Sequence, residues 1–440
     1  MEIMKRNAVA NLLIYLFMVF FLWIPKGLSR AEECGYVLAN GKLTILTTEG
    51  FEKWKDVTPK TKLSVTKVKI AEGVRSIPTY SFRELVRLQS VELPVSLEII
   101  GGAAFFRCQR LSHVYFPANS NLKVIGAHAF RETNLESVSI PVSVKEIRNS
   151  AFRECLRLSS VIFPEKGALE IIGEWGFSQT PLGSVFIPAS VKDIKKAAFL
   201  ECRHLSSLKF SQEIELKRID AGTFSLTALD SVEIPESVKV IEERAFSYCR
   251  RLQSVMFSGF ELEEIGSFAF VEAAIRSVFI PASVQKIGSL AFLDCKKLRT
   301  LSFAEDANLE SMGKAAFYGT GVRFVQIPSS LAVIDAGVFS HSQVQFVYIP
   351  ESVVAIEKST FSYTRLESVL IPKSVTLIGD KAFSNCSRLK KVEFASFNAP
   401  EKFGKDVFDR CHSLIAIYIP KEGKGYRSFN WKKYEQFIKE

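Results

Sequence analysis

Cysteine and histidine are the side chains in this 440-residue sequence that could do the widest range of chemistry, as nucleophiles, general bases or metal ligands. The sequence has no His-Glu-x-x-His, Gly-x-Ser-x-Gly, Cys-x-x-Cys or phosphate-loop motif. The five histidines are scattered, at His113, His128, His204, His341 and His412. We therefore predict no enzyme activity, no metal site and no cofactor.

Disulfide formation is the other chemistry open to the eight cysteines, since an even number is typical of a disulfide framework. Seven of them, however, recur three residues after a phenylalanine in a repeated segment: Cys108, Cys155, Cys202, Cys249, Cys295, Cys386 and Cys411. Cysteines two repeats apart should lie about 10 Å apart, which is too far for a disulfide. We predict mostly free, buried thiols, and only Cys386 and Cys411, in adjacent repeats, could be bridged.

A repeat of 22 to 25 residues positions these cysteines. One unit runs from Leu135 to Cys155 and reads Leu-x-Ser-Val-x-Ile-Pro-x-Ser-Val-x-x-Ile-x-x-x-Ala-Phe-x-x-Cys. The spacing lies within the range of about 20 to 29 residues that is typical of leucine-rich repeats. The repeat phenylalanines are Phe82, Phe105, Phe130, Phe152, Phe177, Phe199, Phe224, Phe246, Phe270, Phe292, Phe317, Phe339, Phe361, Phe383 and Phe408.

The pattern within one unit predicts a short strand and a return segment. Val138 and Ile140 alternate with Ser139, as in a half-buried strand that ends at Pro141. The Ala-Phe pair is expected on a short helical or 3₁₀ segment that returns the ring to the interior. One turn cannot bury its own apolar side, whereas stacked turns cover one another. We predict a leucine-rich-repeat solenoid with one parallel β-sheet of about 16 short strands and short helical or 3₁₀ turns on the opposite side.

Turn lengths alternate for much of the chain, mostly between 25 and 22 residues. The alternation indicates that a 47-residue double unit has been duplicated in tandem. The extra residues follow every second strand, as at 165–168. We expect them to bulge on the same edge of the solenoid every second turn.

The start of the chain is predicted to be a signal peptide at residues 1–31. Lys5 and Arg6 precede a mostly apolar run over residues 8–24, and residues 29–31 fit a signal-peptidase site. An uncleaved signal anchor is the alternative, because the run is near the shortest membrane-span length. After cleavage we expect no membrane span.

Both ends of the array need covers, since terminal turns would otherwise expose their apolar sides. We assign residues 32–62 to an N-terminal cap, 63–420 to the repeat array and 421–440 to a C-terminal cap. The expected apolar contacts of the first cap are Tyr36, Leu38, Leu43, Ile45 and Trp54. Those of the second are Tyr426, Phe429, Trp431, Tyr434 and Phe437.

The repeat strongly resembles the BspA-like class of leucine-rich-repeat proteins. Their unit, Leu-x-x-Val-x-Ile-Pro-x-Ser-Val-x-x-Ile-Gly-x-x-Ala-Phe-x-x-Cys, is matched from Ile275 to Cys295. The resemblance covers about residues 63–420. It implies a secreted or cell-surface protein of bacteria or protozoa that adheres to host or extracellular-matrix proteins.

The partner is therefore expected to be a protein or glycan on another cell or in extracellular matrix, bound by a monomer. The alternative is a structural or decoy component of a surface coat, without a single high-affinity partner. Nucleic acid is not an expected partner. The net charge is +10, but bases and acids are interspersed and no block of five like charges occurs.

Each predicted strand has an outward-facing residue between two buried ones. The packing of the solenoid does not require that residue to be apolar. Several of these positions nevertheless carry aromatic or aliphatic side chains, which would mark an interaction surface on an open sheet. This candidate protein-binding face consists of Tyr115, Ile162, Phe186, Met256, Phe279, Tyr348 and Leu370. The alternative explanation is that large side chains suit packing between neighbouring strands.

Three arginines, Arg276, Arg299 and Arg323, occupy one register on consecutive turns beside that face. Stacked like charges cost free energy unless an acid or a ligand neutralises them. This candidate anion-binding ladder could receive an acidic partner or a sulfated glycan. The alternative is that the three side chains splay apart in solvent.

Overall fold

Each repeat forms one turn of a solenoid in the computed structural model, which describes residues 34–440. The predicted signal peptide at residues 1–31 lies outside the described residues, as do the first two residues of the predicted N-terminal cap and the side chain of Phe429. The solenoid has two ladders of parallel strands, one of longer strands and one of two-residue strands. We call them the strand face and the short-strand ladder.

The strand face is the sheet that the alternating pattern predicts. Its strands pair in parallel and in register, so that Val138 lies beside Val161 and Ser139 beside Ile162. Within residues 34–440 it has the sixteen expected strands: Lys67–Ile70, Ser90–Glu92, His113–Tyr115, Ser137–Ser139, Ser160–Ile162, Ser184–Ile187, Ser207–Phe210, Ser231–Ile234, Ser254–Phe257, Ser277–Ile280, Thr300–Phe303, Phe324–Gln326, Phe346–Tyr348, Ser368–Ile371, Lys391–Phe394 and Ala416–Tyr418.

Strand pairing on this face is interrupted, so the expected single sheet is divided among five sheets in residues 34–440. Three of the four interruptions fall directly after the strands His113–Tyr115, Ser160–Ile162 and Ser207–Phe210. All three belong to the longer turns, in which extra residues follow the strand. The added loop separates these three strands from the next ones, although Lys391–Phe394, also in a longer turn, remains paired with the strand that follows.

The short-strand ladder was not predicted. Its strands are too short to show an alternating pattern in the sequence, although an apolar residue ends each of them and is buried, as in the parallel pair Ile147 and Ile172. Its strands are Ser76–Ile77, Ile99–Ile100, Val124–Ile125, Glu146–Ile147, Ile171–Ile172, Asp193–Ile194, Arg218–Ile219, Val240–Ile241, Glu264–Ile265, Lys286–Ile287, Ser311–Met312, Val333–Ile334, Ala355–Ile356, Leu377–Ile378 and Lys402–Phe403.

The Ala-Phe segment is built from hydrogen-bonded turns, in place of the short helical or 3₁₀ segment that we expected. Residues two before and two after each repeat phenylalanine have left-handed backbone, as at Ser150 (φ 56°) and Glu154 (φ 59°) around Phe152. Their N–H groups donate to the following turn, Ser150 to the Glu174 carbonyl (2.7 Å) and Glu154 to that of Ser178 (3.0 Å). These bonds between turns favour this conformation over a helix, whose N–H groups bond within their own segment.

The repeat phenylalanines form one continuous stack from Phe82 to Phe408. Neighbouring ring centroids are 5.0 to 5.7 Å apart, and the planes are inclined by 2° to 23°. These distances are typical of offset-stacked aromatic pairs. Phe51 and Tyr434 cover the two ends of the stack at inclined angles of 58° and 80°, with centroids 5.8 and 5.4 Å from the terminal rings.

The segment before the array covers the first turn. It contains an antiparallel hairpin of strands Tyr36–Ala39 and Lys42–Ile45, then helices Thr48–Lys55 and Pro59–Lys62. The second strand of the hairpin pairs in parallel with the first strand of the array. Trp54 is buried, and its indole N–H donates to the Ser81 carbonyl at 3.1 Å. Apolar residues of the segment therefore close this end of the core.

The segment after the array covers the last turn. It contains a 3₁₀ helix, Phe429–Phe437, and a strand, Ile438–Lys439, which pairs with the last strand of the array. Tyr426, Trp431 and Tyr434 are buried. The Trp431 ring lies against Phe403 with centroids 4.0 Å apart, so it takes the position that a further turn would occupy.

Replacing Phe246 with Ala should lower the free energy of unfolding by about 3–5 kcal/mol, because the ring is fully buried between two neighbours. Phe260→Ala is the matched control. Its ring is 89% exposed, and its loss should change stability by less than about 0.5 kcal/mol. Chemical denaturation followed by circular dichroism measures both. Equal effects of the two substitutions would contradict the stacked core.

Left-handed positions should reject β-branched residues, and within the described turns none of them is Val, Ile or Thr. Gln179 (φ 60°) is such a position. Gln179→Val should cost about 1–2 kcal/mol, whereas Gln179→Gly should be nearly neutral. The control is Gln253→Val, at an exposed position that is not left-handed. Denaturation midpoints that fall equally for the Gly and Val variants would show that the backbone there is not strained.

Candidate binding surface

The strand face presents two rows of outward side chains. In the strand Ser137–Ser139, for example, the first and third residues are exposed while Val138 between them is buried. The same order recurs along the array because strand side chains alternate. We call these two sets the first row and the third row. The solenoid core therefore places no demand on the residue types in either row.

All seven residues of the predicted binding face lie in the third row and are exposed, from 36% for Phe186 to 59% for Ile162. The structure does not bring them into one cluster. Met256 and Phe279 are on paired strands. The neighbours of Phe186 and Leu370 in the same row include Lys209 and Glu393. Polar residues thus divide the face into several apolar areas.

Two further aromatic residues, Phe324 and Phe346, lie on the same face in the first row. They are directly paired across neighbouring strands and are 56% and 47% exposed. Neither belongs to the predicted binding face, which contains only third-row residues. The signal that could have found them is the repeat itself, because the first-row residue is a serine in most turns.

The three arginines of the predicted ladder lie on consecutive turns beside the first row, and all three are exposed. The Arg299 N–H donates to the Arg276 carbonyl at 2.9 Å, and the pairing of Thr300 with Phe324 places Arg323 level with Arg299. No carboxylate of residues 34–440 forms an ion pair with any of the three guanidinium groups. The positive charges are therefore available to a ligand.

Two pairs of charged residues elsewhere on the strand face lie close to each other. In the third row, the Lys69 ammonium lies 3.6 Å from the Glu92 carboxylate. The Lys391 ammonium lies 2.8 Å from the Glu393 carboxylate. These exposed pairs contribute little to stability.

The seven repeat cysteines are buried in the core, and in the structure all eight cysteines are free thiols. The Cys155 thiol donates to the Phe130 carbonyl (3.0 Å), which also accepts from the Thr133 hydroxyl (2.9 Å). Burial raises the pKa of Cys155 to about 11. A thiol with such a pKa is almost entirely protonated at neutral pH and is a weak nucleophile.

Cys386 and Cys411, the adjacent pair, are also recorded as free thiols. Their Sγ atoms donate to successive phenylalanine carbonyls, Cys386 to Phe361 and Cys411 to Phe383, at 3.1 Å each. The hydrogen bond with Cys386 and burial both raise the pKa of Cys411. The pair therefore continues the ladder of buried thiols.

Residues 34–440 contain no group of three His, Cys, Asp or Glu side chains arranged to hold a metal ion. The histidines remain separate, as the sequence indicates. His128 is half-buried, and burial, Arg131 and Arg153 lower its pKa. His341 lies between Tyr318 and Tyr363, with ring centroids 4.9 and 4.3 Å away.

In the described part of the chain, no helix has the length and hydropathy needed to cross a membrane.

The stacked turns and the open strand face define a solenoid repeat protein. The family profile described as "BspA type Leucine rich repeat region (6 copies)" matches residues 60–164, 123–227, 217–345 and 310–433. The chain belongs to the BspA-type leucine-rich-repeat family. No relative is found among the curated proteins. Repeats of this kind generally serve as scaffolds for protein interaction.

Three solved structures of leucine-rich-repeat and surface proteins are similar to this chain to different degrees. A leucine-rich repeat protein from Bacteroides ovatus has a TM-score of 0.68 and 23% identity, covering 92% of this chain and 97% of that one. A leucine rich cell surface protein from Faecalibacterium prausnitzii has a TM-score of 0.36 and 22% identity, covering 90% and 95%. The pneumococcal vaccine antigen PcpA has a TM-score of 0.39 and 16% identity, covering 88% and 87%. The first of these comparisons shows the fold.

Proposed function

We propose that this protein is a secreted or cell-surface module that binds another macromolecule through its strand face, as an adhesin does. One observation carries the proposal. Exposed positions that the core leaves free carry large apolar side chains, including Tyr115, Ile162 and Tyr348. Such side chains are favourable on a surface that a partner covers.

The proposed location rests on the sequence of residues 1–31, which has the features of a signal peptide. The partner class follows from the shape of the fold, because a face of sixteen short strands offers an extended surface that suits a protein or a glycan chain. A partner on another cell or in extracellular matrix would be accessible to a secreted or cell-surface protein. The coat-component alternative differs from this proposal in predicting no specific partner.

Replacing Phe186 and Phe279 with Ser should weaken partner capture about thirtyfold or more, because exposed aromatic residues dominate interface energies. The fold should be unaffected, since the third row already contains Ser139 and Ser302. Capture from extracellular-matrix and cell-surface extracts by the chain from residue 32, with the bound proteins quantified, measures the effect.

Phe260→Ser is the control for this experiment, because that ring is even more exposed, at 89%, but lies after its strand in a loop. It should bind like the natural chain. Unchanged capture by a correctly folded Phe186→Ser/Phe279→Ser variant would remove the strand face as the binding surface. Absence of any enriched partner would favour the coat component.

A further inference from the structure

One part of the strand face combines positive charge with aromatic rings. It spans five turns, from the strand Ser254–Phe257 to the strand Phe346–Tyr348. We call its main residues the basic–aromatic patch: Arg276, Arg299, Arg323, Phe279, Phe324 and Phe346. The rings are about half-exposed, and all three arginines are exposed.

The patch contains no acidic residue in the first row, in the third row or in the register of the arginines. This holds for all five turns within the described array. Acids appear immediately outside it, with Asp230 and Glu233 on the preceding turn and Glu367 on the following one. Asp230 is neutralised by Arg251 at 3.1 Å. The charge on the face is therefore segregated, and the segment between these acids is positive.

The three arginines of the patch lie side by side, and this arrangement is electrostatically unfavourable without a ligand. Strands about 4.8 Å apart place three like charges in one line, and each repels the next. Solvent and salt reduce this repulsion, but an anion placed along the line would reverse it. The aromatic side chains beside the line present apolar area that gains free energy when it is covered. The two features together favour a ligand that is both acidic and apolar.

We infer that the basic–aromatic patch binds an acidic polypeptide segment that also carries aromatic or aliphatic side chains. This inference rests on the proposed binding function and names the partner's chemistry. Five strands span about 19 Å, which an extended chain of about six residues crosses. The carboxylates contact Arg276, Arg299 and Arg323, and the apolar side chains lie against Phe279, Phe324 and Phe346. A polypeptide is favoured over a sulfated glycan because the rings supply as much of the patch as the cations do.

The test uses fluorescent peptides of about ten residues, long enough to cross the patch. In the first, glutamates alternate with phenylalanine and leucine. The second has lysine in place of glutamate, and the third has serine in place of the apolar residues. A heparin oligosaccharide is the fourth probe. Binding to the chain from residue 32 is measured by fluorescence anisotropy at two salt concentrations.

Three variants locate the binding. The first is Arg276→Gln/Arg299→Gln/Arg323→Gln, and the second is Phe324→Ser/Phe346→Ser, which restores the usual first-row residue. The control removes the same charge elsewhere by Arg87→Gln, Arg110→Gln and Arg388→Gln, at exposed positions off the strand face. Circular dichroism and thermal unfolding establish that each variant is folded.

The acidic apolar peptide should bind most tightly, and its affinity should fall about tenfold or more in each patch variant but not in the control. High salt should weaken it. Equal binding of the acidic and lysine peptides, equal loss in the control, or no peptide binding would overturn the inference. Heparin binding that alone depends on the arginines would assign the patch to a sulfated glycan instead. None of these results decides the proposed function, which the capture experiment tests separately with natural partners; of its two positions, Phe186 lies outside the patch and Phe279 within it.

Discussion

The structure depends on the fact that no turn can bury its own phenylalanine. Each ring needs a neighbour on both sides, and the unbroken stack from Phe82 to Phe408 meets that need for every turn between the ends. The end turns lack one neighbour, and Phe51 and Tyr434 supply it. Stability is then a sum of contacts between adjacent turns, so the array tolerates changes in turn length as long as the ring position is kept.

Backbone hydrogen bonding follows the same rule. Left-handed residues on both sides of each phenylalanine direct N–H groups to the next turn, as from Glu154 to Ser178. The buried cysteines and threonines also donate to phenylalanine carbonyls, as Cys155 does to Phe130. The ring contacts of the core and the backbone hydrogen bonds are therefore made between neighbouring turns. The outward rows of the strand face are left free to vary. Binding residues can change there without a cost to the fold.

The sequence predicts the parts of this structure that a rigid repeat spacing determines. The register of Phe152 and Cys155, the sixteen strands and the outward position of Phe279 all follow from it. The strands such as Ile171–Ile172 could not be predicted, because two residues show no alternation. The left-handed backbone at Trp175 could not either, because no residue type marks it. Phe324 was not predicted, because the first-row residue is a serine in most turns and Phe324 departs from that pattern.

Hydrogen–deuterium exchange of the chain from residue 32 tests most directly whether neighbouring turns hold one another in place. The amides of Ser150, Phe152 and Glu154, and their equivalents along the array, donate to the next turn. They should exchange as slowly as the strand amides, while the loop amides of Glu165 and Lys166, which make no hydrogen bond within residues 34–440, exchange rapidly. Rapid exchange of the phenylalanine-centred turns, with protection confined to the strand face, would contradict the account.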